Sequence, residues 1–314
     1  MSVCLEAEDI GALARLTNMM KPTLTAFLIV ALSVSSAAHP GTALVADTRN
    51  AVYFAYWGGT WRLDSAGHLE RIHSNDFHFL AIDSTGRFAN TALPDMLRVT
   101  PDGSTPAIFS FPESPATFHT DGSLYVAPWS IGRIRLERIT PTGGKSLFVD
   151  ATIDPRLART PGRHEGGVLA IASGPNGFLF VSDGASIWRI DARGVVSPVA
   201  ERIVVPDCAS DLPAELPKPH IRSLAVDTTG DVYAAAIGCR AVLRIRATGG
   251  ITSVLRAETP WSPSAVALAH GDLYVLEFDN ALAERPADGR PRIRKLSRDG
   301  HVTMPIVVDK AQRR

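Results

Sequence analysis

The sequence predicts an all-β chain folded as a six-bladed β-propeller, each blade a sheet of four antiparallel strands. Three observations carry this. A basic residue followed five positions later by glycine recurs six times: Arg62 to Gly67, Arg98 to Gly103, Arg138 to Gly143, Arg189 to Gly194, Arg244 to Gly249 and Lys295 to Gly300. Consecutive glycines lie 36, 40, 51, 55 and 51 residues apart, around the roughly 40–50 residues of a four-stranded blade. Past the N-terminal region, short apolar runs bounded by Gly, Pro, Asp and Ser replace helix-period stretches, as strands require.

The first 38 residues are read as an address. Lys21 supplies a positive start, Leu24 to Val34 an apolar core, and Ser36-Ala37-Ala38 the small residues a signal peptidase needs before His39. That core is shorter than the roughly 20 residues that span a bilayer, so no membrane span is expected after cleavage. Glu6, Glu8 and Asp9 are foreign to such a leader, which places the true start at Met19 or Met20. The expected organisation is an upstream extension over 1–19, a signal peptide over 20–38, one propeller domain over 39–309 and a disordered tail over 310–314. The product is periplasmic or secreted. Charge is balanced, with 32 basic and 32 acidic residues and no basic run, which argues against a nucleic-acid partner. A monomer is expected.

Within each repeat the strands are called A to D. The B strands are read at Val52-Tyr53-Phe54, Arg87-Phe88-Ala89, Ser123 to Val126, Phe178 to Val181, Asp231 to Ala234 and Asp272 to Val275, each after a polar turn. Strand C carries the repeated basic residue, and strand D follows its glycine. Since the four strands alternate in direction, the A–B and C–D turns share one face of the ring and the B–C and D–A connections share the other. The first set is tight, as in Asp83-Ser-Thr-Gly86 and Ser297-Arg-Asp-Gly300. The second holds the insertions, residues 73–78, 128–132, 150–167, 204–220 and 279–290. Long polar loops on a rigid scaffold are where binding and catalysis concentrate. Function is therefore expected on this long-loop face, at the mouth of the central channel. Cys208, in the D–A connection of blades four and five, and Cys239, in the B–C connection of blade five, meet on that face and in an oxidising compartment are expected to form a disulfide. Ring closure is expected from blades made wholly of consecutive residues.

Gly167-Val-Leu-Ala-Ile-Ala-Ser-Gly-Pro-Asn-Gly-Phe-Leu-Phe-Val-Ser-Asp183 and Ser223-Leu-Ala-Val-Asp-Thr-Thr-Gly-Asp-Val-Tyr233 resemble the repeat grammar of the NHL-repeat and SMP-30/gluconolactonase-like six-bladed propellers. The resemblance spans about residues 42–308. Its lactonase branch implies a divalent cation (calcium, magnesium or zinc) held by a glutamate, an asparagine and an aspartate. Asp183 matches the aspartate, Gly167 stands at the asparagine position, and Gly41 to Ala46 has no matching glutamate.

Counted from the glycine before each strand B, Asp183 and Glu277 occupy equivalent strand ends on the long-loop face. Two such carboxylates are candidate metal ligands. His164 and Glu165 precede strand A of blade four, His220 that of blade five, and Asp76 and His78 that of blade two. Glu165 and His220 are the candidate catalytic bases, and Asp76, His78, His164 and Trp129 the candidate ligand-binding residues. His119 either lines the channel or is a satisfied core histidine. Gly143-Gly-Lys-Ser146 lacks the upstream glycine of a phosphate loop and falls in a C–D turn, and no Gly-x-Ser-x-Gly elbow or His-Glu-x-x-His helix is present. The functional expectation is a propeller that binds a small molecule or a protein partner at the channel mouth. The alternative is a metal-dependent lactonase- or esterase-like hydrolase, or a lyase.

Overall fold

The computed structural model describes residues 43–56, 59–74, 77–88, 96–112, 114–153, 167–206, 208, 219–279 and 289–308, all within the unit His39–Arg314. These residues form six sheets set around a central channel. Blade one contains β1 (Leu44–Ala46), β2 (Val52–Ala55), β3 (Thr60–Leu63) and β4 (Leu69–His73), hydrogen-bonded in that order. Blade two contains β5 (Phe79–Asp83), β6 (Leu97–Arg98) and β7 (Ala107–Phe111). Blade three runs through β8 (Ala116–Phe118), β9 (Leu124–Val126), β10 (Arg133–Ile139) and β11 (Lys145–Thr152). Blade four has β12 (Ala170–Ser173), β13 (Leu179–Ser182), β14 (Ile187–Ile190) and β15 (Val196–Ala200). Blade five has β16 (Ile221–Val226), β17 (Val232–Ala236), β18 (Ala241–Ile245) and β19 (Ile251–Arg256), and blade six β20 (Ser262–Ala269), β21 (Asp272–Phe278), β22 (Pro291–Leu296) and β23 (Val302–Val307).

The innermost strands β1, β5, β8, β12, β16 and β20 touch one another in that order, and β20 touches β1. The ring is closed, and blades one and six are each built from consecutive residues. Six apolar clusters fill the six seams between neighbouring blades. Their logic is the two-residue period of a strand. In β2, Val52 and Phe54 enter the seam with blade six, whereas Tyr53 and Ala55 enter the seam with blade two.

The repeated basic residue now has a physical role. In every blade it lies directly across the ladder from an aromatic: Arg62 from Tyr53, Arg98 from Phe109, Arg138 from Tyr125, Arg189 from Phe180, Arg244 from Tyr233 and Lys295 from Tyr274. Its charged end reaches toward the turns of the short-loop face. Arg138 pairs with Asp121 at 2.8 Å, Arg244 with Asp231 at 2.7 Å and Lys295 with Asp272 at 2.6 Å. The glycines five positions later all sit at positive φ, between 76° and 95°, a region costly for residues with a Cβ.

Blade two departs from the expected strand order. Arg87 and Phe88 lie outside any strand, and Ala89 is outside the described residues. The place beside the innermost strand is taken by β7, giving the order β5-β7-β6. The cause is composition. Outer strands elsewhere are mostly exposed or half-buried, but Ala107–Phe111 is buried at all five positions and suits a strand covered on both faces. Phe88 still joins the core, edge-to-face with Phe109 and Phe118 at 5.8 and 5.1 Å. β7 remains antiparallel to both neighbours, so blade two keeps the common assignment of faces.

Candidate functional site

The long-loop face carries the described candidate residues. His78 is half-buried just before β5, and His220 is buried at φ 57° just before β16. Trp129, in the β9–β10 connection, is 43% exposed. Asp183 follows β13, and Glu277 is the penultimate residue of β21. Asp76, His164 and Glu165 lie outside the described residues. Among the rest, the fold brings His220 and Asp183 to adjacent blade ends: the Ile221 amide donates to the Gly184 carbonyl at 2.8 Å. Asp183 Oδ1 accepts the amides of Ala185 at 2.9 Å and Ser186 at 2.7 Å, closing its own turn. At Gly167 a Cβ would lie 3.2 Å from the Ser130 carbonyl oxygen, so an asparagine there would have to displace backbone. His119 lies at the opposite face, in the β8–β9 turn, its ring edge-on to Tyr125.

Cys208 and Cys239 form a disulfide, with Cα atoms 4.5 Å apart. It ties the connection into blade five to the short 3-10 turn Ile237–Cys239. No helix among the described residues is long and apolar enough to cross a membrane.

Glu277 stands in a group of charges that sequence reading missed. Its side chain is fully buried, and both oxygens are engaged: Arg292 Nε donates to Oε2 at 2.6 Å and Arg294 Nη2 to Oε1 at 2.5 Å. Arg292 Nη1 also donates to Glu258 at 2.6 Å, and its guanidinium lies 4.1 Å from the centre of the Trp261 ring. Arg292 and Arg294 are two residues apart on β22 and therefore share a face, a signal present in Arg292-Ile-Arg294. This network extends the seam between blades five and six toward the long-loop face. Among the described residues, no three His, Cys, Asp or Glu side chains form a group suited to a metal ion.

The hydrogen bond from Arg292, helped by Glu258's own amide, holds the Glu258 carboxyl at about 2, below its ordinary 4.5. A carboxylate depressed by folding contributes stability above its unfolded pKa and loses it as pH falls through the folded one. The contribution is therefore complete above about pH 4.5 and fades toward pH 2. Glu258 is 63% exposed, so water and salt weaken the pair. In urea unfolding at successive pH values, Glu258→Gln is expected to flatten the acid-side fall in stability across that interval. An unchanged pH profile would remove Glu258 as its source.

The six innermost strands each pair on one side only, which leaves their other edges to line a channel of about 290 Å³. Its wall is made by the unpaired edges of these strands, while the side chains of Leu44, Leu80, Ile171, Leu224 and Val266 are buried in the seams on either side. The volume is near the lower end of small-molecule pockets, roughly 300–1,000 Å³.

No family model matches the sequence, and no curated protein does. Similar solved structures include the PQQ-bound aldose sugar dehydrogenase of Streptomyces coelicolor, with TM-score 0.51 and 15% identity over 82% of this chain and 95% of that one. An auxiliary nutrient binding protein from Bacteroides thetaiotaomicron has TM-score 0.51 and 12% identity over 85% and 70% of the two chains. Virginiamycin B lyase from Staphylococcus aureus has TM-score 0.49 and 15% identity over 88% of each. At such identities the likeness is one of fold, and the fold of this chain is the six-bladed β-propeller.

Proposed function

We propose that the protein is an exported small-molecule binder whose ligand enters the central channel from the long-loop face. The supporting observation is the channel of about 290 Å³ lined by six free strand edges. Those edges offer backbone donors and acceptors, the polar groups that orient a ligand in a small-molecule site. Trp129 at the rim supplies an exposed aromatic plane. The disulfide is compatible with an oxidising compartment. Fold alone does not choose an activity, since similar propellers include both a nutrient-binding protein and a dehydrogenase.

The adjacency of Asp183 and His220 favours a second reading, hydrolysis of an ester or lactone, or a lyase step, with His220 or Glu165 as base. Glu277 does not fit the ligand role this reading gave it, because a cation would compete with two guanidinium groups for its oxygens.

Ligand-observed NMR with a fragment library tests the binding reading. Hits are expected to compete with one another, to be lost in Thr117→Trp, which fills the channel from a half-buried wall position, and to weaken in Trp129→Ala. An absence of hits, or hits indifferent to Thr117→Trp in folded protein, would overturn it. Elemental analysis of the same protein addresses the second reading: stoichiometric calcium, magnesium or zinc that disappears in Asp183→Asn would favour it.

A further inference from the structure

We propose that the channel takes a peptide-like ligand, an uncharged molecule of one or two residues whose own N–H and C=O groups pair with the free edge of β20; this names the ligand class for the binding reading above and rests on it. The apolar side chains of the innermost strands pack into the seams, so a molecule in the channel meets backbone. Among those strands β20 is the longest, with eight residues, and it is hydrogen-bonded to a neighbouring strand on one side only. A strand edge of this kind is a template for another length of chain.

One hydrogen bond shows what the edge accepts. The Val266 amide of β20 donates to Ser223 Oγ of the adjacent β16 at 3.1 Å, so this side of β20 carries N–H groups that an oxygen from outside its own sheet can satisfy. Leu268 lies two residues on in the same unbroken stretch of the β20–β21 ladder, and residues two apart share an edge. The N–H and C=O of Leu268 therefore leave on the channel side together. What satisfies both is another residue, returning its own C=O and N–H in the two-bond ring of antiparallel pairing. A carboxylate only accepts, and a hydroxyl offers both roles at a single atom. Charge points the same way. Among the described residues that line the channel none is a carboxylate, and Arg222 already has an interaction within the protein. A charged terminus would lose water without gaining a counter-ion, which selects blocked ends. A volume of about 290 Å³ limits the ligand to one or two small residues.

Three probes of nearly equal size test this on the full chain. Ligand-observed NMR titrations would compare N-acetylalanine N′-methylamide with its depsi analogue, in which an ester oxygen replaces the alanine N–H, and with N-acetylalanine, which ends in a carboxylate. The amide is expected to bind roughly three- to tenfold more tightly than the ester, the scale of one hydrogen bond, and more tightly than the acid. Thr117→Trp should abolish its binding, and Glu258→Gln, outside the channel wall, should leave it unchanged. Amide hydrogen exchange read at single residues supplies an independent signal: saturating amide probe should slow exchange at Leu268 and leave Ile251, on outer strand β19, as it was. Equal binding of amide and ester, tighter binding of the acid, or binding that does not protect Leu268 would each overturn the proposal while leaving the binding reading in place. Failure of all three probes to bind would overturn it too, and the fragment screen described above then decides whether the binding reading also falls.

Discussion

Replacing Glu277 by alanine is expected to lower the unfolding free energy by about 3–5 kcal/mol, the usual cost of breaking a buried ion pair from one side. The reason is the imbalance left behind. Arg292 and Arg294 are 6% and 12% exposed, and Arg292 Nη2 and Arg294 Nε are already buried without a hydrogen-bond partner. Without Glu277, Arg294 keeps the Arg256 carbonyl, and Arg292 keeps Glu258, half in water. For a domain of this size the loss should appear as a fall in Tm of roughly 10 °C. Measurement in the presence of a chelator separates pairing from any cation effect. The control is Glu277→Ala combined with Arg292→Met and Arg294→Met. Apolar replacement of a whole buried triad is often neutral, so the triple variant should recover much of the stability. A single variant as stable as wild type would show that the seam between blades five and six does not depend on this network.

Loss of the disulfide is the second large effect. Cys208 and Cys239 are 31 residues apart in sequence, and releasing a loop of that length is expected to cost about 3–4 kcal/mol in the chain-entropy model. Backbone contacts flank the bridge. The Gly238 amide donates to the Pro219 carbonyl at 3.1 Å, and Arg256 Nη2 reaches the Pro206 carbonyl at 3.2 Å. The double variant Cys208→Ser and Cys239→Ser should unfold at lower urea than the oxidised protein and coincide with the wild type after reduction. Thiol titration of unfolded protein checks the redox state of each sample. Coincidence of oxidised and reduced wild type would mean the bridge adds nothing to stability.

Much of the fold was legible because its signals are local. A glycine at positive φ after a basic residue marks one turn, and six such turns count the blades. The cysteine pair followed from the same strand map. Strand order in blade two was not legible. Arg87-Phe88 follows a turn as other B strands do, and its displacement was decided at Ala107–Phe111, about 20 residues on. Glu277 misled for a related reason. A carboxylate near a strand end resembles a ligand, yet its partners lie 15 and 17 residues later, across a hairpin whose register the sequence does not state.

The seams between blades carry a consequence for how the protein can be divided. Every blade has both of its broad sides sealed by neighbours, so the array has no terminal module and needs none of the polar caps that finish an open solenoid. Excising any one blade would bare two greasy walls at once. Such a fragment would be soluble only by shutting the gap or by borrowing the missing wedge from another molecule.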